Sequence, residues 1–254
     1  MSRKTLRILC FGNSLTAGFP AGQPYAEKLK EKLEDALLGH GYGEIEYEVD
    51  GVPGDLVTRG SYLGRMQDAW RLANRSNEPY DWTIVLGGTN DLGWGCTVDD
   101  LVAGLKRTWD IPLSKGGKIL ALTIPDTRSR YKDIKERRDE VNKAIKEYKK
   151  PNFFYFDLYG AIPYHDMAPD DRSKYWEMDG VHFSADGYNM MGEKVAMELI
   201  KLIKLAEAQD TDINTIASDP RQRQAIEDMI YEEERGNPRL LSQGYIVVRK
   251  SDLD

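Results

Sequence analysis

Short apolar runs alternate with amphipathic helical stretches across residues 6–205, and this alternation leaves few architectures open. Residues 6–11 read as a buried strand. The segment 25–38 follows as a helix in which Ala26, Leu29, Leu33, Ala36 and Leu37 recur at helical spacing. Further strands are expected at 45–49, 83–86, 118–124 and 153–158, with helices at 63–73, 98–109, 133–148 and 185–205. The helix at 133–148 is strongly polar, with Ile134, Val141 and Ile145 on one side, and its basic pair Arg137-Arg138 reads as part of a solvated face. Strands and helices in rotation favour a mostly parallel sheet, because parallel pairing needs crossovers that lay helices on both faces.

A chain of 254 residues can bury a sizeable core, so one principal domain is expected, at 1–207. The pattern breaks at Gln209-Asp210-Thr211-Asp212, and 208–254 reads as an extension with a charged helix at 222–234 and an edge strand at 244–249. Tyr245, Ile246, Val247 and Val248 would otherwise expose apolar surface, so the extension is expected to pack on the core or to join two copies as a homodimer. The formal charge of −7 offers no broad basic surface for phosphates, and no nucleic-acid partner is expected. No apolar stretch is long enough to cross a bilayer and no signal peptide is apparent, which points to no integral membrane association and a cytoplasmic location. Cys10 and Cys96 are too few for a disulfide scaffold, and Cys10 reads as a small buried hydrophobe.

The strand ends carry the chemistry. Reactive groups in open α/β sheets gather beyond the carboxyl ends of the strands. Ser14 lies in Gly12-Asn13-Ser14-Leu15, directly after the first strand, where a serine by itself reads first as a turn or helix cap. His182 changes that weighing, since a serine hydroxyl becomes a competent nucleophile when an imidazole accepts its proton. His40 sits among glycines in a loop, and His165, beside Asp166, is a competitor. Only His182 has an acid three residues earlier and a helix start just after it. One turn can set the Asp179 carboxylate against the ring Nδ1 and fix its tautomer.

A metal reading of Asp179 and His182 needs a further ligand, with Asp55 and Asp91 as the candidates. No metal or cofactor is expected, because neither a compact His/Cys cluster nor a His-Glu-x-x-His helix occurs. The Ser14 N–H, the Gly54 N–H and the Asn90 amide are three donors for a developing oxyanion, although Gly and Asn are also ordinary turn formers.

Taken in order, these blocks resemble the SGNH hydrolase superfamily, also called GDSL-type esterases and lipases. Gly12-Asn13-Ser14-Leu15 is similar to its first block, with Asn13 in place of the usual aspartate. Gly51-Val52-Pro53-Gly54-Asp55, Gly88-Thr89-Asn90-Asp91 and Asp179-Gly180-Val181-His182 are similar to the other three. The resemblance implies an α/β fold, a three-layer α/β/α sandwich with a central five-stranded parallel sheet of flavodoxin-like layout. It also implies a catalytic Ser14, Asp179 and His182, with Ser14, Gly54 and Asn90 forming the oxyanion hole. The expected activity is hydrolysis of small carboxylic esters through an acyl-enzyme. A carbohydrate O-deacetylase acting on acetylated sugars is the enzymatic alternative, and a non-catalytic sugar- or protein-binding module is the reading from another class. Trp94, Tyr164, Trp176 and Met178 stand in loops near the blocks as candidate substrate-binding residues, with closure of the core edge as their competing role.

Overall fold

The computed structural model describes residues 3–216, with side chains through residue 207. Five strands form one sheet: β1 (Lys4–Gly12), β2 (Tyr42–Gly51), β3 (Trp82–Leu86), β4 (Lys118–Leu122) and β5 (Phe153–Phe156). Their order is β2-β1-β3-β4-β5 and every pairing is parallel. The helices are α1 (Ser14–Ala17), α2 (Tyr25–Leu37), α3 (Tyr62–Arg75), α4 (Thr89–Gly93), α5 (Val98–Leu113), α6 (Lys132–Glu147), α7 (Leu158–Ala161), α8 (Pro169–Tyr175) and α9 (Ala185–Ile216). The chain divides into two compact units, Met1–Ile200 and Lys201–Asp254, and the sheet lies in the first. Among the described residues no helix is long and apolar enough to cross a membrane.

Successive strand residues face opposite sides of a sheet, and here both sides are apolar. Leu9, Phe11, Val85, Ile119 and Ala121 pack with Met66 and Trp70 of α3, Leu105 and Trp109 of α5, and Val141 and Ile145 of α6. The intervening Ile8, Cys10, Ile84, Leu86, Leu120 and Leu122 are buried as well. Burial raises the Cys10 thiol to about 12, against a smaller lowering by Tyr25, so Cys10 is an inert core residue. Cys96 is the other free cysteine. Helices α2 and α9 approach so closely that a Cβ on Gly192 would lie 2.4 Å from the Tyr25 carbonyl oxygen.

Most expected elements are present, with shifted ends. The fifth strand stops at Phe156, because Asp157 caps α7 through a bond from the Gly160 N–H. The last helix runs past the expected break at residues 209–212 to Ile216. That tetrapeptide lacks apolar residues but also lacks Gly and Pro, so helical hydrogen bonding continues through it. Arg138 is a clear correction. It is buried, not solvated, and pairs with buried Asp126 at 2.8 Å. The helix and strand expected at 222–234 and 244–249, and the dimer role of the extension, lie outside the described residues.

The parallel strands put their carboxyl ends on one edge, where β1 is wedged between β2 and β3. Gly12 pairs with Gly51 on one side and Leu86 on the other. A Cβ on Gly12 would lie 2.2 Å from Thr16 Oγ1 and 2.4 Å from the Leu86 carbonyl oxygen. The backbone cannot yield there as a flexible side chain would. Gly12→Ala should therefore cost about 2 kcal/mol of stability, read as a lowered denaturant midpoint; an unchanged midpoint would mean that this edge has slack.

Candidate active site

Ser14, Gly54 and Asn90 are each set by a turn or short helix after a strand, and Asp179 and His182 by the loop between α8 and α9. Asn13 caps α1, its Oδ1 accepting from the Leu15 N–H at 3.2 Å. The amide oxygen thus supplies the capping acceptor that an aspartate would, without the charge. Ser14 opens that helical turn and is nearly buried. Its Oγ lies 2.9 Å from His182 Nε2, and His182 Nδ1 lies 2.7 Å from Asp179 Oδ2. A carboxylate against Nδ1 holds the ring proton there and leaves Nε2 as the acceptor facing the serine.

The loop bearing His182 is held mainly by backbone bonds. The Glu177 N–H donates to the His182 carbonyl at 2.9 Å, and Trp176 and Phe183 form an antiparallel bridge. Arg128 grips the same loop, its N–H donating to the Gly180 carbonyl at 2.7 Å and its Nη1 to the Met178 carbonyl at 2.9 Å. Ser184 Oγ accepts from the Gly187 N–H at 3.1 Å and caps the start of α9. Phe19 stands edge-on to the His182 ring at 5.1 Å, while Tyr188 Oη donates to the Phe19 carbonyl at 2.5 Å. Neither Phe19 nor Arg128 carries a local sequence signal, since each reaches the histidine loop from a distant segment.

Gly54 lies beyond β2 with φ of +82°, a conformation that favours glycine. Its turn is tied to β1 by the Val52 N–H, which donates to the Gly12 carbonyl at 3.2 Å. Asn90 Nδ2, on α4, donates to the Asp55 carbonyl at 2.9 Å. Its neighbour Asp91 is fully buried and accepts from the Val57 N–H at 3.1 Å, the Thr58 N–H at 3.0 Å and Thr58 Oγ1 at 2.8 Å. Asp55 accepts from Ser61 and Arg65. Both acids named in the metal reading are thus engaged with residues 57–65. Among the described residues no three His, Cys, Asp or Glu side chains gather as a metal set.

The candidate substrate-binding residues separate. Trp94 and Met178 are 71% and 91% exposed beside Asn90 and Asp179. Tyr164 is half-buried, with Arg172 over its ring at 5.1 Å. Trp176 is only 4% exposed and packs on Phe183 at 4.4 Å, so it closes the core edge and does not line a cleft. His40 is exposed in its loop, and the His165 ring packs on Tyr164.

The model of the GDSL-like lipase/acylhydrolase family matches residues 10–190, a span that includes every group just described as meeting at Ser14. No curated protein matches the chain. Among solved structures, the lipase/acylhydrolase from Enterococcus faecalis is 24% identical, with 77% of this chain and 96% of that one covered at a TM-score of 0.58. A carbohydrate esterase family 3 protein from Talaromyces cellulolyticus is 15% identical, with 78% and 98% covered and a TM-score of 0.58. A carbohydrate acetylesterase family member from Sinorhizobium meliloti is 17% identical, with 76% and 97% covered and a TM-score of 0.55. At these identities the likeness is one of fold.

Burial raises the proton affinity of Asp179, but the His182 ring and the His182 and Val181 N–H groups outweigh it and lower the carboxyl below its ordinary value. The stabilisation this gives is present above the unfolded-state pKa and is lost as pH falls through the lower folded one. The Asp179 carboxyl carbon should therefore titrate by NMR with a midpoint below the ~3.9 of a free aspartate. A midpoint at or above that value would contradict the hydrogen-bonded carboxylate.

Proposed function

We propose that this chain, which belongs to the GDSL-like lipase/acylhydrolase family, is a serine esterase that cleaves small carboxylic esters through an acyl-enzyme. The observation that carries the proposal is the continuous contact from Ser14 Oγ through His182 to Asp179, at 2.9 and 2.7 Å. A hydrolase of this family acts on ester bonds, and the relay supplies the groups such a reaction needs.

In the proposed sequence, Ser14 Oγ attacks the ester carbonyl carbon while His182 Nε2 takes the hydroxyl proton. Asp179 keeps the ring oriented and stabilises the imidazolium. The tetrahedral intermediate collapses with cleavage of the carbon–oxygen bond to the alcohol, and the departing oxygen receives the proton from Nε2. Water then attacks the acyl-enzyme, giving its proton to His182. Collapse releases the acid and returns that proton to Ser14 Oγ. Negative charge on the carbonyl oxygen rests on the Ser14 and Gly54 N–H groups and on the Asn90 amide. A primary amide has two N–H donors, and the bond from Asn90 to the Asp55 carbonyl takes one of them.

Exposed apolar residues stand on the separate segments that carry the site blocks: Phe19 after β1, Val52 after β2, Trp94 after β3 and Met178 before Asp179. Such a rim favours a compact apolar acyl or alcohol group over a strongly charged one. The exposed Trp94 ring also supports a second reading, deacetylation of a carbohydrate, since a flat aromatic face suits stacking on a sugar ring. Two of the solved structures similar in fold are named as a carbohydrate esterase and a carbohydrate acetylesterase.

Ser14→Ala should lower turnover of p-nitrophenyl acetate by about 10⁴-fold or more without changing the melting temperature, and unchanged turnover would end the proposal. Asn90→Ala should lower kcat by about 10²-fold with little change in KM, because its bond strengthens as the oxyanion forms. Graded p-nitrophenyl acyl esters run beside acetylated xylo-oligosaccharides separate the two substrate readings. Acetate release confined to the sugars would favour the deacetylase, and sugar binding with no turnover of either class would favour a binding module.

A further inference from the structure

Arg65 lies on α3 and belongs to none of the blocks that carry the relay or its donors. Its guanidinium has five N–H groups, and all five are engaged. Nε and Nη2 both donate to Asp55 Oδ2, at 3.1 and 3.0 Å. Nη1 donates to the Asp50 carbonyl at 3.1 Å and also to Asp50 Oδ1. The second Nη2 hydrogen goes to the Gly12 carbonyl at 2.8 Å. The guanidinium carbon lies over the Phe11 ring, 4.6 Å from its centroid, and the side chain is 15% exposed.

Those acceptors are not one local cluster. Gly12 ends β1, two residues before the nucleophile, and Asp50 stands at the end of β2. Asp55 follows Gly54 directly, and its carbonyl receives the Asn90 amide at 2.9 Å. One planar cation therefore joins the turn that carries Ser14, the turn that carries Gly54, and through Asp55 the side chain of Asn90. A surface arginine needs no such arrangement, and a stabilising ion pair would need only one of its two carboxylates.

We propose that Arg65 is the positioning residue of the oxyanion hole: it sets the spacing between the Ser14, Gly54 and Asn90 donors and acts on the reaction only through them. The inference rests on the reading of those groups as the oxyanion donors. A lysine cannot replace Arg65 here. It keeps the charge but presents three hydrogens from one nitrogen and cannot span acceptors on three segments. Donors that have drifted apart still admit substrate but stabilise the transition state poorly, so the loss falls on kcat and spares KM.

The test is a double-mutant cycle on p-nitrophenyl acetate with Arg65→Lys and Asn90→Ala. Alone, Arg65→Lys should lower kcat by about 30- to 100-fold with KM within about threefold, somewhat less than removal of a whole donor. In the Asn90→Ala background the same change should cost at least about threefold less than it does alone, because one of the three donors it positions is gone. Asp55→Asn, which keeps the shape of Asp55 but weakens its hold on Arg65, should give the same split and the same non-additivity. It decides the question if the lysine variant does not fold. A kcat within threefold of the parent in either variant, or losses that multiply fully across the cycle, overturns the proposal. Turnover surviving Ser14→Ala instead defeats the reading of the site, an outcome distinct from an inactive Ser14→Ala protein beside a fully active Arg65→Lys one.

Discussion

At Gly12 three strand ends meet with no room for a side-chain carbon, and the geometry of the whole carboxyl edge follows from that crowding. The strand is pinned between Gly51 and Leu86, so its last carbonyl projects beyond the ladder. That one oxygen accepts from the Val52 N–H and from Arg65 Nη2. The turn after β2 is thereby fastened to the turn after β1 through backbone, which has far less freedom than a pair of long side chains. Ser14 follows two residues on, inside a capped helical turn. Its position is thus fixed by main-chain packing before any catalytic partner is considered.

The acids of this edge show how environment divides a single residue type among different tasks. Asp91 is fully buried and spends both oxygens on the Val57–Thr58 backbone and the Thr58 hydroxyl. Asp126 is buried against Arg138 and also accepts from the Tyr164 and His165 N–H groups at 3.2 and 3.3 Å. Asp55 is shared between Ser61 and Arg65. A buried carboxylate is tolerable only when paired or fully hydrogen-bonded, and each of these is. Asp179 is the exception, with its side chain 48% exposed, and it alone faces an imidazole. Its Oδ1 accepts from the Val181 and His182 N–H groups, which leaves Oδ2 for the ring proton.

The elements were readable because their signals are local. Helical spacing in α2, unbroken apolar runs in the strands and turn residues at their ends each fall within a dozen positions. Ser14, Asp179 and His182 were readable as candidates for a related reason: each sits in a short block whose residue types are chemically unusual together. Arg65 was not, since its acceptors at Gly12, Asp50 and Asp55 are gathered only by the crossover of α3 over the sheet. Arg138 was misread for the same cause. Its place beside Glu and Asp suggests solvent, while a buried acid 12 positions earlier decides otherwise. For Trp176 burial favours the second of its two roles, closure of the core edge, and proximity to Asp179 in sequence says nothing about which way an indole points. Side-chain partners across long sequence separations carry no periodic trace, and those are the contacts that tune this site.

The two halves of the site are built to different standards, and the chemistry explains why. The half with the proposed donors is braced by Arg65, Asp55 and Asp91, whose charged hydrogen bonds join the segments after three strands. Groups that stabilise a developing charge contribute most when they need no reorganisation at the moment of reaction, which demands such bracing. The half with the proposed base is a loop held by main-chain bonds and one arginine, with Met178 and Asp179 open to solvent. A base must take a proton from one oxygen and return it to another, and small adjustments of ring angle serve that exchange. The proposed donors are thus braced by charged side chains and the proposed base by main chain, a division that the esterase reading would use on both sides of Ser14.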